Sequence, residues 1–406
     1  MTEPLIAPER RGFRAPGTTF MVAGGLIGAV GAYVFQVYGT RNLDPDAFAP
    51  VSVLWTAFFI LATILLVPVE QYVTREVASG RKALPTDLEP AFVMAGVGAL
   101  VGGVFVAVTL EDLFFGDRVY ILQFVLLMVG YSLLFVAKGV LAGSRRFAGV
   151  GWLLIVETVA RLVAGVVLLQ MVFDASSLGW GMVIGGFAVL AMGWWRHDTG
   201  RAEARAAPAG RFLAGYVGGS SSSQLLLGGA PIAVAMLGGS PALVSIVFVT
   251  FTLYRAPLTL IFALQGRILP YLVGLARDAN RAQLGKIARG VVLVGTALAL
   301  AGALIGWFVG PEVVGLLYGA QYSPSDVVAM LAAGGVMAAA AAQIASQVLV
   351  AEGRTTRLSW AWLGGLVVGL VVLMLVPGEV DTRVAIAFAA GEIAALVLMA
   401  VLAIRR

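Results

Sequence analysis

The sequence predicts an all-α integral membrane protein of about twelve transmembrane helices, and three observations carry that prediction. Hydrophobic residues make up 60% of the chain and charged residues only 12%, with a mean hydropathy of +0.95. An ordinary water-soluble domain cannot keep that balance. Apolar stretches recur through all 406 residues, each near the length of about 20 residues that a helix needs to cross a bilayer. The basic residues fall between these stretches with a bias that sets the direction of each crossing.

Taken in order, spans are expected at 18–39, 47–69, 91–110, 119–142, 148–171, 176–195, 213–237, 241–266, 288–310, 326–350, 358–376 and 382–403. The first apolar run is too long for a signal-peptide core and lacks an obvious cleavage site, so it is expected to be retained. With the N-terminus inside, the inner segments hold twenty-one Lys and Arg residues, including Arg145, Arg146, Arg354 and Arg357, whereas the outer loops hold three: Arg41, Arg118 and Arg383. The bias holds loop by loop and implies an even number of spans, with both termini in the cytoplasm and the chain in the cytoplasmic membrane. The outer loops are short and acidic. Between Arg267 and Arg289, leucines and Ile287 alternate with basic residues, which predicts a short amphipathic helix on anionic headgroups.

Several function classes are excluded at this level. The chain has no cysteine, and its one histidine, His197, lies among loop charges; no disulfide, thiolate metal site or histidine-activated nucleophile can be assembled. No phosphate-binding glycine loop is present, so no cofactor is expected. The net charge of +5 is scattered in clusters that report topology, which excludes nucleic acid as a partner. One enzymatic feature stays open. Asp44 and Asp46 stand in the first outer loop, where lipid-dependent membrane glycosyltransferases keep catalytic carboxylates, and the same residues read equally as a turn and cap into span two.

Internal repeats point to two halves. Val140 to Trp152, after span four, matches Val348 to Trp360, after span ten, with Val, Leu, Arg and Trp coinciding at an offset of 208. Val51 to Phe59 in span two reads against the run from Val244 in span eight at an offset of 193. Both pair span n with span n+6, which predicts an N-terminal six-helix lobe over 1–200 and a C-terminal one over 201–406. The two would be related by an axis along the membrane normal, around a central cleft.

The candidate site follows from what hydrocarbon penalises. Span seven carries Ser221, Gln224, Gly228, Gly229 and Pro231, and span one carries Pro16, Gly17, Gly24 and Gly25. Interrupted segments at corresponding places in two halves mark the moving, substrate-lining helices of transporters. A charge at a helix centre costs roughly 2.5–3.5 kcal/mol on insertion scales, so each needs a reason. Glu157 and Arg161 lie four apart on one face of span five and can neutralise each other. Arg255, two residues before Pro257 in span eight, has no local acid partner and suits attraction of an anion. Glu392 in span twelve can hold a proton or pair across helices. Lys138 lies near enough to a span end to snorkel. Gln36, Gln224 and Gln343 offer hydrogen bonds to a polar ligand. Substrate contact is therefore assigned to Arg255, Gln224, Gln36, Ser221 and Arg161, and ion coupling to Glu157 and Glu392.

The first outer loop (Arg41 to Phe48), the Leu-Ala-Gly-Ser-Arg-Arg turn at 141–146 and the segment Val313 to Tyr322 together resemble the multidrug/oligosaccharidyl-lipid/polysaccharide flippase superfamily. Within it the resemblance is to the bacterial polysaccharide-biosynthesis transporters. It implies a V-shaped cleft between two six-helix lobes related by pseudo-twofold symmetry and lined by spans one, two, seven and eight. It also implies a non-enzymatic flippase that moves a polyprenyl-linked oligosaccharide by rocking the lobes. The partners implied are the lipid-linked glycan, membrane lipids and polysaccharide assembly enzymes, for a monomeric carrier. A single arginine on the lining spans departs from the more cationic flippases. Two alternatives stay open: a cation-coupled drug or metabolite antiporter of the same superfamily, and a polyprenyl-dependent membrane glycosyltransferase.

Overall fold

The computed structural model describes residues 17–78, 89–193, 221–277 and 281–404. Among these residues the chain is helical throughout, with no strand. The N-terminal lobe is built from α1 (Thr18–Asn42), α2 (Pro45–Leu61), α3 (Val67–Ala78), α4 (Glu89–Val108), α5 (Leu110–Phe114), α6 (Val119–Gly143), α7 (Phe147–Val172) and α8 (Ser176–Phe187). The C-terminal lobe follows with α9 (221–228), α10 (Ala230–Met236), α11 (Pro241–Tyr254), α12 (Ala256–Arg277), α13 (Arg281–Tyr318), α14 (Asp326–Ala351), α15 (Thr355–Leu375) and α16 (Val380–Ile404). Nine helical stretches among the described residues are long and apolar enough to cross a membrane, and Phe92–Val108 and Ser176–Met192 are shorter apolar helices. Large side chains such as Val22, Leu26, Leu300, Leu304 and Met374 face outward, as expected where hydrocarbon is the solvent.

Local chemistry explains the element ends. Asp44 caps α2 by accepting the Ala47 amide at 2.8 Å, with Pro45 at the first helical position. Ser240 does the same for α11 through the Leu243 amide at 3.2 Å, followed by Pro241. These matching caps place the repeat of spans two and eight at an offset of 196, about one turn from the 193 suggested by the apolar residues. The other repeat holds residue for residue. Arg146 donates its amide to the Leu141 carbonyl at 2.8 Å, and Arg354 donates to Leu349 at 2.9 Å. The left-handed residues that permit the turns are Arg145 at φ 56° and Gly353 at φ 71°, again 208 apart.

Two expectations are corrected. Span one is not interrupted: α1 runs unbroken from Thr18 to Asn42, and Gly24 within it serves close packing. A Cβ on Gly24 would stand 2.5 Å from the Gly151 carbonyl oxygen of α7. Of the paired interruptions, only span seven breaks, at Gly229 before Pro231; residues 213–220 and Pro16 lie outside the described residues. The second correction concerns Arg267 to Arg289. This segment is not a separate surface helix but the end of α12 and the start of α13, whose Leu272 and Leu284 pack with Val348 of α14. Span two carries a feature the sequence did not announce, a π-helical segment over Ala62–Leu66 that joins α2 to α3.

The lobes meet chiefly through α2 and α11. Phe48 sits in this seam, fully buried, with its ring 6.1 Å from that of Phe248 and 6.2 Å from that of Tyr322. Because Gly24 faces backbone whereas Gly25 faces open space, Gly24→Ala should cost about 1–3 kcal/mol through overpacking. Gly25→Ala should leave the unfolding temperature unchanged or slightly raised. Thermal unfolding of both variants in detergent checks the pair, and equal midpoints would contradict the packing of α1 on α7.

Candidate functional site

Each lobe sets a glutamate against an arginine deep within its spans, in different states of pairing. In the N-terminal lobe, α7 places Glu157 and Arg161 one turn apart, and the ion pair closes at 2.9 Å between Nη1 and Oε1. Tyr131 of α6 donates to the same Oε1 at 2.6 Å, and Thr158 donates to Oε2 at 3.1 Å. The Arg161 guanidinium also lies 5.4 Å from the Trp55 ring centre and 5.8 Å from that of Phe35. Side chains from α1, α2, α6 and α7 thus converge on one buried, locally neutral cluster. Its hydrogen bonds are what make a buried pair tolerable in a low-dielectric interior. Arg161, expected at the substrate, is engaged here.

In the C-terminal lobe the charges are brought together from distant parts of the chain. Pro257 lacks an amide proton and crowds the carbonyl four residues back, so α11 ends at Tyr254 and Arg255 occupies the junction before α12. Phe251 of α11 and Phe388 of α16 meet edge to face at 5.0 Å. One turn further along the same two helices stand Arg255 and Glu392, which act on each other electrostatically without a direct ion pair. Glu392 is fully buried and neither carboxylate oxygen has a hydrogen-bond partner; Nε and Nη2 of Arg255 are likewise enclosed and unmatched. Span eight itself supplies no acid to Arg255; the acid that acts on it, Glu392, comes from span twelve, which spacing along span eight could not show. Tyr33 of α1 donates to the Thr252 carbonyl at 3.1 Å, which places the end of α11 beside Arg255 against the seam between lobes.

The remaining candidates are more dispersed. Gln36 is buried on α1 with Oε1 unmatched, while Ser221 and Gln224 are half-buried on α9. Gln343 is half-buried on α14, and its main-chain carbonyl accepts from the Ser346 hydroxyl at 2.7 Å. Lys138 does not snorkel; it pairs with Glu70 at 2.8 Å and lies 4.7 Å from the Phe135 ring centre. Asp44 caps its own helix, and Asp46 accepts the Ala242 amide of the other lobe at 3.0 Å, so both carboxylates serve helix ends. His197 lies outside the described residues. No group of three His, Asp or Glu suited to a metal occurs among the described residues. An apolar recess of about 300 Å³, lined by Ile60, Leu226, Ala233, Leu370 and Phe388 among others, opens between α2 and α10, α15 and α16. Tyr33, Trp55 and Tyr131 were missed from sequence, since a ring in an apolar span gives no sign that its polar edge or π-face meets a charge.

The fold is that of the MATE transporters. The chain overlays an inward-facing multidrug resistance MATE family transporter of the MOP superfamily with a TM-score of 0.67 at 12% identity, covering 95% of this chain and 97% of the other. For a point mutant of the Vibrio cholerae MATE transporter VcmN the TM-score is 0.63 at 15% identity, with 96% of each chain covered. An outward-facing MATE structure gives 0.55 at 15% identity over 96% of each chain. In sequence, the chain is 27% identical over 393 residues to uncharacterized proteins of Mycobacterium tuberculosis and Mycobacterium bovis, spanning 90% of this chain and 86% of theirs. No family model matches.

The two clusters make separate predictions for stability. Glu157→Gln leaves Arg161 charged and buried without its acid, which should cost about 3–5 kcal/mol. Adding Arg161→Met should recover most of that loss. Thermal unfolding of the single and double variants in detergent measures it, and a double variant no more stable than the single one would contradict the closed pair.

Proposed function

We propose that this chain is an alternating-access transporter of the cytoplasmic membrane, with both termini inside, and that it flips a polyprenyl-linked oligosaccharide. The observation that carries this reading is the open Arg255–Glu392 arrangement at the seam of a two-lobed MATE fold. Buried charged atoms without protein partners are costly inside a membrane and are retained where they serve a ligand or an ion. Arg255 would meet the anionic diphosphate of the carrier lipid, and Gln36, Ser221 and Gln224 would offer hydrogen bonds to the sugars. The recess beside Ile60 and Phe388 would receive part of the hydrocarbon tail. Glu392 would couple the cycle by exchanging a proton, with Glu157 as a second coupling group inside the N-terminal lobe. The carrier would act as a monomer among membrane lipids, next to polysaccharide assembly enzymes.

A drug antiporter is the second reading, favoured by the multidrug resistance transporters that share the fold. Under it, neutralising Glu157 or Glu392 abolishes drug resistance in cells. The glycosyltransferase reading has less support, because Asp44 and Asp46 are both engaged at helix ends.

The flippase reading is tested by reconstitution with fluorescent lipid-linked oligosaccharides from the host. Protein-dependent exposure of the glycan on the opposite leaflet is expected, falling at least tenfold in Arg255→Ala. No protein-dependent exposure of any host glycan would sink it.

A further inference from the structure

The α1–α2 turn of one lobe is bonded to two helix ends of the other, and the signs of the charges involved are matched. The bonds lie at the end of the bundle that carries the 43–44, 237–240 and 319–325 turns, the outer end under the proposed topology. Five side-chain-to-main-chain bonds cross the seam here. Asp46 presents its carboxylate to the Ala242 amide at 3.0 Å. That amide belongs to the first turn of α11, where the helix dipole is positive and the amides have no intrahelical partner. Arg41 donates from Nε to the Leu317 carbonyl at 3.1 Å and from Nη2 to the Leu316 carbonyl. Those carbonyls belong to the last turn of α13, the negative end, where the Gly319 amide already serves the carbonyl of Gly315. Two neutral bonds accompany them: Ser245 donates to the Pro45 carbonyl at 2.6 Å, and Tyr322 to the Leu43 carbonyl at 3.0 Å. Burial, then Asp44 and Asp46 nearby, push the Tyr322 hydroxyl above its ordinary range, so it remains a donor at any physiological pH.

Among the described residues neither side chain is hydrogen-bonded within its own lobe, although Arg41 stands in the last turn of α1 and Asp46 in the first turn of α2. The cap of α2 is Asp44, not Asp46, and the carbonyls that Arg41 meets are those of α13 rather than of α1. Both residues are exposed to the aqueous phase at this end. We infer that Arg41 and Asp46 form an ionic latch that holds the outer end of the seam shut by docking on opposite helix termini of the facing lobe, and so sets the resting conformation. An exposed charge at a helix end shifts an equilibrium by only about two- to fivefold, strong enough to bias a resting state and weak enough to release in every cycle. The larger overlap with the inward-facing than with the outward-facing MATE structure agrees with a seam closed at this end.

The inference rests on the proposed rocking of the lobes, but its test needs no substrate. The chain has no native cysteine, so spin labels at Asp112→Cys and Glu312→Cys, exposed positions on the two lobes, report the outer opening in nanodiscs. The parent should show mainly a short distance. Arg41→Ala and Asp46→Ala should each raise the ratio of open to closed about two- to fivefold, and together about four- to twenty-five-fold. Raising salt from about 0.01 M to about 1 M, which shortens the screening length from about 30 Å to about 3 Å, should open the parent and leave the double variant unchanged. Asp44→Ala, which removes a cap inside one lobe, should lower the unfolding temperature without moving the distances. Should the alanine double variant not fold, Arg41→Gln with Asp46→Asn removes the charges while keeping the hydrogen-bonding shape, and the same shift is expected. Distance distributions identical in parent and folded double variant, or an equal salt response in both, would overturn the latch. A shift in distances without any glycan flipping would leave the latch standing and count against the substrate.

Discussion

The absence of water in the bilayer core governs this molecule, because each polar group there must find its partner in the protein or weaken the fold. Backbone groups meet the demand by forming helices. Side chains meet it unequally in the two lobes. Around Glu157 and Arg161 the partners are complete enough to make a neutral knot that ties α1, α2, α6 and α7. Around Arg255 and Glu392 they are not, although the aromatic contact between Phe251 and Phe388 holds the two helices in register.

That contrast divides the labour between lobes. The N-terminal lobe is continuous where it faces the seam: α1 is unbroken and packed through Gly24 on α7. The C-terminal lobe is segmented where it faces the seam, at Gly229 in span seven and at Arg255 in span eight. Proline explains both breaks, since each removes an amide from the helix ladder. The segmented lobe also contains Arg255 and Glu392, each with two enclosed atoms of its charged group unmatched, where the N-terminal pair leaves only Arg161 Nε unmatched. Under the proposed alternating access, a rigid lobe working against a segmented one would give the rocking motion a place to begin, at the seam between α2 and α11.

Much of this was legible in the sequence, and what was not has a physical cause. Nine of the expected spans are matched among the described residues by helices long and apolar enough to cross, because hydrocarbon thickness sets both length and hydropathy. The 141–146 and 349–354 turns were legible as a repeat because the same main-chain bond closes each. The glycines of span one misled, since glycine both weakens a helix and lets helices touch, and only the neighbour at Gly151 decides between the two. Glu157 with Arg161 could be read from a spacing of four within one helix. Arg255 with Glu392 could not, because that pair depends on how two remote helices pack. Asp46 could be read from sequence as a carboxylate for chemistry or as part of a helix start, and neither reading could show that it accepts an amide of the other lobe.

The central claim is that function requires the two lobes to separate at the outer end of the α2–α11 seam. A disulfide between Asp46→Cys and Ala242→Cys, formed in a chain with no other thiol, tests it most directly. In proteoliposomes the oxidised protein should expose no labelled lipid-linked oligosaccharide on the far leaflet, and reduction should restore it. Undiminished flipping by fully cross-linked protein would contradict the account.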